Sequence, residues 1–148
     1  MTRDRVGNMT ALRTMVVDDN KSFRDVLVEY LKTMNEIDVV GQADNGLEAF
    51  LKAQILQPDL ILMDISMNEM DGFKAASMIK DKIPNIRIIF ITIHKAETYR
   101  YIAALLQADG YVWKNSMMED LPIKIQRIRD SLMKTSTLTR THPITNLN

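Results

Sequence analysis

The chain has 148 residues, the length of one ordinary domain, and its composition of 46% apolar and 26% charged residues is typical of a globular protein. Because 19 Lys and Arg balance 19 Asp and Glu, the net charge is zero, which argues against direct binding of nucleic acid through bulk charge. The absence of cysteine excludes disulfides, thiol nucleophiles and thiolate zinc sites, and the two histidines are too few for a His-rich metal centre.

Both ends of the chain are predicted to be tails. Residues 1–10 are polar and lack the apolar stretch of a signal peptide. From residue 134 to 148 the sequence is rich in Thr, Ser and Asn, which is typical of a flexible tail or the remnant of a linker. The segment between them, 11–133, is predicted to be one domain. No apolar run approaches the roughly 18 residues of a membrane helix, so we expect a cytoplasmic protein without membrane contact.

The first half of this domain alternates between strand and helix patterns. A short β-type run at 14–17 is followed by apolar residues at the spacing of one helical face: Phe23, Val26, Leu27, Tyr30, Leu31 and Met34. A weaker strand is predicted at 39–41. The next helix carries its own apolar face: Leu47, Phe50, Leu51 and Ile55. The continuous apolar run at 60–63 then predicts a strand that is buried on both faces.

The second half repeats the alternation. We predict a helix at 72–82 and a strand at 86–91. A fourth helix presents Tyr99, Ile102, Ala103 and Leu106, and a fifth strand is predicted at 111–113. The last helix presents Met118, Leu121, Ile125, Ile128 and Leu132. Ser116 and Glu119 have the spacing of a capping box, but Pro122 lacks a helical N–H, so we expect regular helix only from about Asp120.

Five strands that alternate with five helices predict an α/β fold, in which helices cover both faces of a parallel sheet. Ligands of such sheets bind beyond the carboxyl ends of the strands, so the residues that follow the strands are the candidate site. Five polar residues stand there: Asp18, Asp19, Asp64, Thr92 and Lys114. We therefore expect three carboxylates, one hydroxyl and one ammonium at a single edge of the sheet.

These residue types suit phosphoryl chemistry. Three neighbouring carboxylates repel each other unless a cation lies between them, and oxygen ligands of this kind suit Mg²⁺. The ammonium of Lys114 would offset the charge of a phosphoryl group, and the hydroxyl of Thr92 would bond one of its oxygens. A carboxylate is itself a known acceptor of phosphoryl groups. The residues thus predict an acidic Mg²⁺ site that can carry an aspartyl phosphate.

The segments that carry these residues resemble the response-regulator receiver domain of two-component signalling. They are VVDD at 16–19, MDISMNEMDG at 63–72, IT at 91–92 and ADGYVWK at 108–114. All four occur in the family's order and spacing, and the resemblance covers essentially all of 11–133. It implies a single doubly wound (βα)5 flavodoxin-like domain, with its five parallel strands in the order 2-1-3-4-5.

The resemblance also implies a role for each acidic residue. Asp64 matches the position that accepts the phosphoryl group from the phosphohistidine of a sensor histidine kinase or a histidine phosphotransfer protein. Asp19, Asp64 and the backbone carbonyl of Ser66 match the Mg²⁺ ligands, and Asp18 matches the acid that assists them.

Three further positions match the family's signalling residues. Lys114 matches the lysine that pairs with the phosphoryl group, and Thr92 matches the switch hydroxyl that moves inward to bond it. Tyr111 matches the aromatic residue that rotates into the space vacated by the hydroxyl. The family's phosphorylated state repacks the face made by helix four, strand five and helix five, and this face is where a phosphorylation-dependent homodimer would form.

Two residues of the loop after strand four, and one after Asp64, are expected to adjust this chemistry. Ile93 is bulky where the family usually has a small residue, so we expect it to narrow access to Asp64. His94 and Ser66 occupy positions that in this family tune how quickly water removes the phosphoryl group.

The resulting hypothesis is a phospho-accepting switch rather than an enzyme, with self-catalysed phosphotransfer and dephosphorylation only. The alternative is a receiver-type adaptor that works independently of phosphorylation, although the intact Asp64, Asp19, Thr92 and Lys114 argue against it. A Mg²⁺ phosphatase is disfavoured because Ser66 stands where a second acid would be needed.

The output of such a switch is left open by the sequence. Residues 39–46 resemble receivers that precede a helix-turn-helix effector, yet only a short tail follows the last predicted helix. The target is therefore expected to be either a separate downstream protein or an effector domain that this chain lacks.

Overall fold

The computed structural model describes residues 5–6, 9–68 and 70–141. A short antiparallel pair, Arg5–Val6 with Met9–Thr10, precedes the domain, within the segment that we predicted to be a tail. Five strands then alternate with five helices: β1 Leu12–Val17, α1 Lys21–Lys32, β2 Ile37–Ala43, α2 Gly46–Leu56, β3 Leu60–Met63, α3 Gly72–Lys82, β4 Arg87–Thr92, α4 Glu97–Leu105, β5 Gly110–Trp113 and α5 Met117–Thr141.

The five main strands form one parallel sheet in the order β2-β1-β3-β4-β5, which confirms the predicted 2-1-3-4-5 topology. Val17, Met63 and Phe90 are register partners across the three central strands, so β1 and β3 end at one level and β4 extends two residues further, to Thr92. The pairing of β1 with β2 skips Val40, because Thr14 pairs with Val39 while Met15 pairs with Gly41. The residues that follow the central strands are thereby brought together.

Side chains of the central strands alternate between two apolar layers. In β1, Leu12 and Val16 pack under α1 and α5, whereas Met15 and Val17 pack under α2, α3 and α4. The same alternation holds in β3 and β4, where Phe90 is fully buried in the second layer. The sheet is therefore covered on both faces, and only its edges are open to a ligand.

Helix α2 does not bury the apolar face that we expected. Small residues pack against the sheet instead, with Gly46, Ala49 and Ala53 buried. Leu47, Leu51 and Ile55 point to solvent. Small side chains allow the helix backbone to approach the sheet closely, and this close approach sets the rotation of α2 about its axis.

Helix α5 begins earlier than we predicted. A 3₁₀ turn at Lys114–Ser116 leads into regular helix from Met117, so Pro122 lies inside the helix rather than in a loose first turn. Proline cannot donate to the carbonyl four residues earlier, which belongs to Met118. The hydroxyl of Tyr30 on α1 donates to that carbonyl at 3.3 Å. A side chain from a neighbouring helix thus replaces the missing donor.

At its other end, α5 continues to Thr141, beyond residue 133 where we placed the end of the domain. The remaining tail, including His142, lies outside the described residues. The boundaries 11–133 stay a prediction. Within the part of the chain that the structure describes, no helix combines the length and the apolar character needed to cross a membrane.

Candidate functional site

Three carboxylates meet at the carboxyl edge of the sheet. The backbone N–H of Asp64 donates to the carbonyl of Val17 at 2.9 Å, and the N–H of Asp18 donates to that of Ala43 at 3.1 Å. These bonds fix both residues directly after their strands. One carboxylate oxygen from each of Asp18, Asp19 and Asp64 lies within 4.8 Å of the others, which is close enough for one cation to contact all three.

Asp18 is held in place by its neighbours in the β1–α1 turn. Its Oδ1 accepts the backbone N–H of Asn20 at 2.8 Å, and Asn20 in turn caps α1 by accepting the N–H of Phe23 at 3.1 Å. The guanidinium of Arg24 donates to the backbone carbonyl of Asp18. Asp18 is buried by these contacts, whereas Asp19 is exposed at the mouth of the site.

Lys114 brings a single ammonium group to the three carboxylates. Its Nζ lies 2.8 Å from Oδ2 of Asp18 and 3.6 Å from Oδ2 of Asp64. The same Nζ lies 4.1 Å from the centre of the Phe23 ring, whose π face favours a cation. The Lys114 side chain is largely buried. Its charge is therefore only weakly screened by water, and it offsets one of the three negative charges.

The remaining negative charge contributes to the pKa of Asp64. That pKa is raised from its ordinary 3.8 to about 6, chiefly by burial and then by the neighbouring charge of Asp18, which outweighs the lowering by Lys114. A nearby cation stabilises the charged form of such an acid and lowers its pKa again. The donor set of three carboxylates with one amine is thus suited to a hard divalent cation.

This shift predicts how stability depends on pH when no divalent cation is present. Because the folded protein binds the Asp64 proton more tightly than the unfolded chain does, stability falls as pH rises from near 4 through about 6. We expect Asp64→Asn to remove this fall and to stabilise the protein at neutral pH by roughly 1–2 kcal/mol. Denaturant unfolding in chelator across this pH range measures the effect. Asp81→Asn, an exposed carboxyl on α3, is the matched control and should change nothing.

A glycine fixes the loop that follows Asp64. Gly72 begins α3, and its N–H donates to the carbonyl of Ile65 at 2.8 Å. A Cβ at this position would lie 2.0 Å from the backbone oxygen of Asp64. Asp71 caps the helix by accepting the N–H of Lys74 at 2.8 Å. The loop can therefore lie against the start of α3 only because residue 72 has no side chain.

The loop after β4 is organised around His94. Its backbone N–H donates to the hydroxyl of the buried Thr92 at 3.1 Å, and its carbonyl accepts the hydroxyl of Tyr111. Its Nε2 lies 2.8 Å from the hydroxyl oxygen of Ser66 on the loop after β3. His94 thus joins three other residues of the candidate site. Sequence reasoning identified all four, pairing Thr92 with Tyr111 and Ser66 with His94, but no sequence signal indicated that His94 connects the two pairs.

Ile93 and Trp113 stand at the outer side of the same loop. Ile93 is 62% exposed, and its carbonyl accepts the indole N–H of Trp113 at 3.1 Å. The ammonium of Lys95 lies 3.9 Å from the centre of the Trp113 ring. Sequence reasoning did not single out Trp113, although it lies directly before Lys114. The effect of Ile93 on access stays a prediction.

An open groove of about 400 Å³ includes one of the three carboxylates, that of Asp19, in its lining. Ser66 and the rings of Phe73 and Tyr99 form other parts of its wall. The centroids of the two rings lie 5.9 Å apart. The groove therefore adjoins the acidic cluster at its exposed member.

Comparison with known proteins identifies the family to which this geometry belongs. The family model described as response regulator receiver domain matches residues 14–126. The response regulator protein VraR of Staphylococcus aureus is 38% identical over 127 residues, and that of Staphylococcus saprophyticus is 35% identical over 116 residues. These alignments cover 84% and 78% of this chain and in both cases 56% of the relative. The chain thus spans about half the length of these relatives.

Solved structures give the same result. A DNA-binding response regulator of the LuxR family from Staphylococcus aureus superposes with a TM-score of 0.74 at 26% identity, covering 79% of this chain and 98% of that one. A two-component response regulator of the LuxR family from Aurantimonas superposes with a TM-score of 0.76 at 27% identity, covering 80% and 85%. On the match over residues 14–126, the chain belongs to the response regulator receiver domain family of two-component signalling.

Proposed function

We propose that this receiver domain is a phospho-accepting switch in which Asp64 takes a phosphoryl group from a sensor histidine kinase or a histidine phosphotransfer protein. The observation that carries this proposal is the buried ammonium of Lys114, which lies 2.8 Å from Asp18 and 3.6 Å from Asp64. Two buried carboxylates that share one ammonium beside a third, exposed carboxylate are costly for stability, and charge clusters of this kind are common at functional sites.

The residues that would hold Mg²⁺ are Asp18, Asp19, Asp64 and the backbone carbonyl of Ser66. Their carboxylate oxygens are already within 4.8 Å of each other, so little rearrangement is needed. Bound Mg²⁺ would neutralise the repulsion among these carboxylates and part of the charge on the phosphoryl oxygens.

The protein's own groups account for the transfer. A carboxylate oxygen of Asp64 forms a bond to phosphorus while the bond from phosphorus to the donor's imidazole nitrogen breaks, and that nitrogen keeps the electron pair. Lys114 offsets the charge on the phosphoryl oxygens. Because the pKa of Asp64 is about 6, its carboxyl group is mostly protonated below that pH and must lose the proton before its oxygen can attack phosphorus. Neutral pH thus favours the reactive form.

The switch would act through Thr92 and Tyr111. When the hydroxyl of Thr92 turns to a phosphoryl oxygen, it no longer accepts the backbone N–H of His94. The carbonyl of His94 holds the hydroxyl of Tyr111, so the change reaches β5 through a single residue. The face formed by α4, β5 and α5 then rearranges, because a local charge change biases an element with two packings.

The partners are proposed from the family and from the relatives. A histidine kinase or phosphotransfer protein is the proposed donor, and the cytoplasm is the proposed compartment. The VraR relatives are about twice as long as their matched region, and one structural relative is described as DNA-binding. We therefore propose that the output is either an effector domain joined to this receiver or a separate target protein. Phosphorylation-dependent pairing through α4, β5 and α5 is the proposed form of the homodimer.

Intact mass spectrometry tests the proposal directly. The wild type is incubated with Mg²⁺ and a small acyl phosphate, and Asp64→Asn is treated in parallel. We expect one added phosphoryl group on the wild type, none on Asp64→Asn, and none when Mg²⁺ is removed by a chelator. If the wild type and Ile93→Ala both stay unmodified with the small donor and with a kinase phosphohistidine, the result favours the alternative function of a phosphorylation-independent adaptor.

Ile93 is expected to slow phosphorylation by small donors. Replacing it with alanine removes a large side chain beside the switch hydroxyl, so the rate constant of adduct formation should increase several-fold. Time-resolved mass spectrometry measures that rate. Val26→Ala is the matched control, because Val26 on α1, outside the switch face, is 55% exposed, compared with 62% for Ile93. Equal rates for Ile93→Ala and the wild type would contradict the role in access.

Ser66 and His94 are expected to act as one unit on the lifetime of the phosphoryl group. Since their side chains share one hydrogen bond of 2.8 Å, Ser66→Ala and His94→Ala should change the rate of phosphoryl loss in the same direction, by roughly 2- to 10-fold. The double variant should match the single variants. Additive effects would show that the two residues act separately. Asn68→Ala, exposed on the same loop as Ser66, serves as the control.

A further inference from the structure

Helix α2 exposes an aliphatic stripe without a charged residue. Its exposed residues are Leu47, Leu51, Gln54 and Ile55. The three aliphatic side chains are 47%, 52% and 81% exposed, respectively, and they recur every four residues. Side chains at this spacing lie on one side of a helix, so they form a continuous stripe. Each of the other four helices exposes charged side chains among its described residues.

The stripe lies outside the core. The opposite side of α2, with Ala49 and Ala53, packs in the core together with Gly46. Leu51 and Ile55 leave more than half of their surface open to solvent, and Leu47 leaves nearly half. Exposed apolar patches on single domains commonly mark interaction sites.

The flank of the stripe carries one acid and one base. Glu48 and Lys52 form an ion pair with each other, so their charges balance locally. Burying the stripe against another surface consequently brings no unpaired charge into the contact. A partner with a charged surface would gain nothing here, whereas an uncharged aliphatic surface would fit.

We infer that the α2 stripe pairs with the same stripe of a second copy of this chain, in an antiparallel arrangement about a two-fold axis at Leu51. An isologous contact requires a patch that complements itself, and the stripe is symmetric about its middle residue. Leu51 meets its own copy, and Leu47 meets Ile55 of the other chain. In the same arrangement, Glu48 of each copy lies within one helical turn of Lys52 of the other copy. The opposite charges of these two side chains attract each other and so favour the pairing.

This pairing is separate from the proposed phosphorylation switch. The axis lies on α2, whereas the switch face is formed by α4, β5 and α5, and none of the stripe residues belongs to the acidic cluster. A stripe of three side chains is smaller than a standard interface, so we expect weak association with a dissociation constant of about 100 μM. Failure of phosphorylation would leave the pairing unchanged.

Disulfide trapping tests the arrangement, because the chain contains no cysteine and an introduced thiol is its only one. Under mild oxidation without a phosphodonor, Leu51→Cys should form a covalent dimer, since residue 51 faces its own copy across the axis. Val26→Cys on α1, where Val26 is 55% exposed compared with 52% for Leu51, is the control and should form at least about fivefold less dimer. Equal trapping of the two variants would overturn the arrangement.

Sedimentation equilibrium provides the second test. The wild type should be monomeric at low micromolar concentration and dimeric near 1 mM, and Leu51→Glu should raise the dissociation constant at least about tenfold by placing two like charges at the axis. Val26→Glu, on α1, should leave it unchanged. Circular dichroism confirms that each variant is folded. A wild type that stays monomeric near 1 mM would overturn the pairing and indicate that the stripe binds a different protein.

Discussion

Lys114→Met is expected to destabilise the protein by about 3 kcal/mol at neutral pH in the absence of divalent cations. The substitution removes the only ammonium within 4 Å of Asp18 and Asp64 among the described residues, and both carboxylates are buried. Two buried carboxylates without a counter-charge repel each other and cannot recover their hydration. The pKa of Asp64, already about 6, should rise further.

The pH dependence separates this effect from simple loss of packing. A carboxyl whose pKa is raised in the folded state lowers stability as pH rises through that pKa, so the penalty of Lys114→Met should be large above pH 7 and small near pH 4. Adding Mg²⁺ at neutral pH should restore much of the loss. Urea unfolding at several pH values measures both. A penalty that is equal at both pH extremes would contradict the electrostatic cause.

A surface ion pair provides the matched control. Lys21 and Asp25 on α1 lie 2.7 Å apart but are both exposed. Because exposed pairs are screened by water, Lys21→Met should reduce stability by less than about 0.5 kcal/mol at any pH. The contrast between two lysine–aspartate pairs then measures the effect of burial.

Gly72→Ala is expected to have the second large effect. The added Cβ would lie 2.0 Å from the carbonyl oxygen of Asp64 and 2.9 Å from its carbonyl carbon, so the loop after β3 must shift. Both atoms are backbone, and a shift moves the phosphoacceptor itself. We expect destabilisation of about 3 kcal/mol and at least a tenfold slower phosphorylation by a small donor.

Gly110→Ala is the control for this substitution. Its added Cβ would lie 3.3 Å from side-chain carbons of Lys124, and a flexible side chain can move aside. Urea unfolding should therefore show a change below about 1 kcal/mol for Gly110→Ala. If Gly72→Ala retained wild-type stability and phosphorylation, the close approach of Asp64 to α3 would not matter for the site.

Much of the fold could be predicted because its strongest signals are local. The limits of β3 and α3 agree with the prediction at 60–63 and 72–82, since a continuous apolar run and a regular periodicity leave few alternatives. The meeting of Asp18, Asp64 and Lys114 was also predictable. Parallel strands of one sheet end at the same edge, so residues that follow them must be neighbours.

The remaining features depend on tertiary contacts that sequence patterns do not contain. Our prediction of which side of α2 is buried was wrong, because we based it on the spacing of the large apolar side chains. The small residues Ala49 and Ala53 determine how closely the helix approaches the sheet. The early start of α5 depends on the hydroxyl of Tyr30, which is distant in sequence from Pro122. His94 is bonded to Thr92 and Tyr111 through its backbone N–H and carbonyl. Backbone groups are the same in every residue, so the sequence does not reveal these bonds.

The skipped pairing at Val40 has a consequence for how the protein behaves at high concentration. β2 is one edge of the sheet, and an interrupted register breaks the regular row of N–H and C=O groups that an incoming strand would need. The opposite edge, β5, offers only Gly110–Trp113. Neither edge is a good template for continuous strand addition. Crowded copies are therefore expected to resist fibril growth and to meet through their helices, in closed assemblies of defined size.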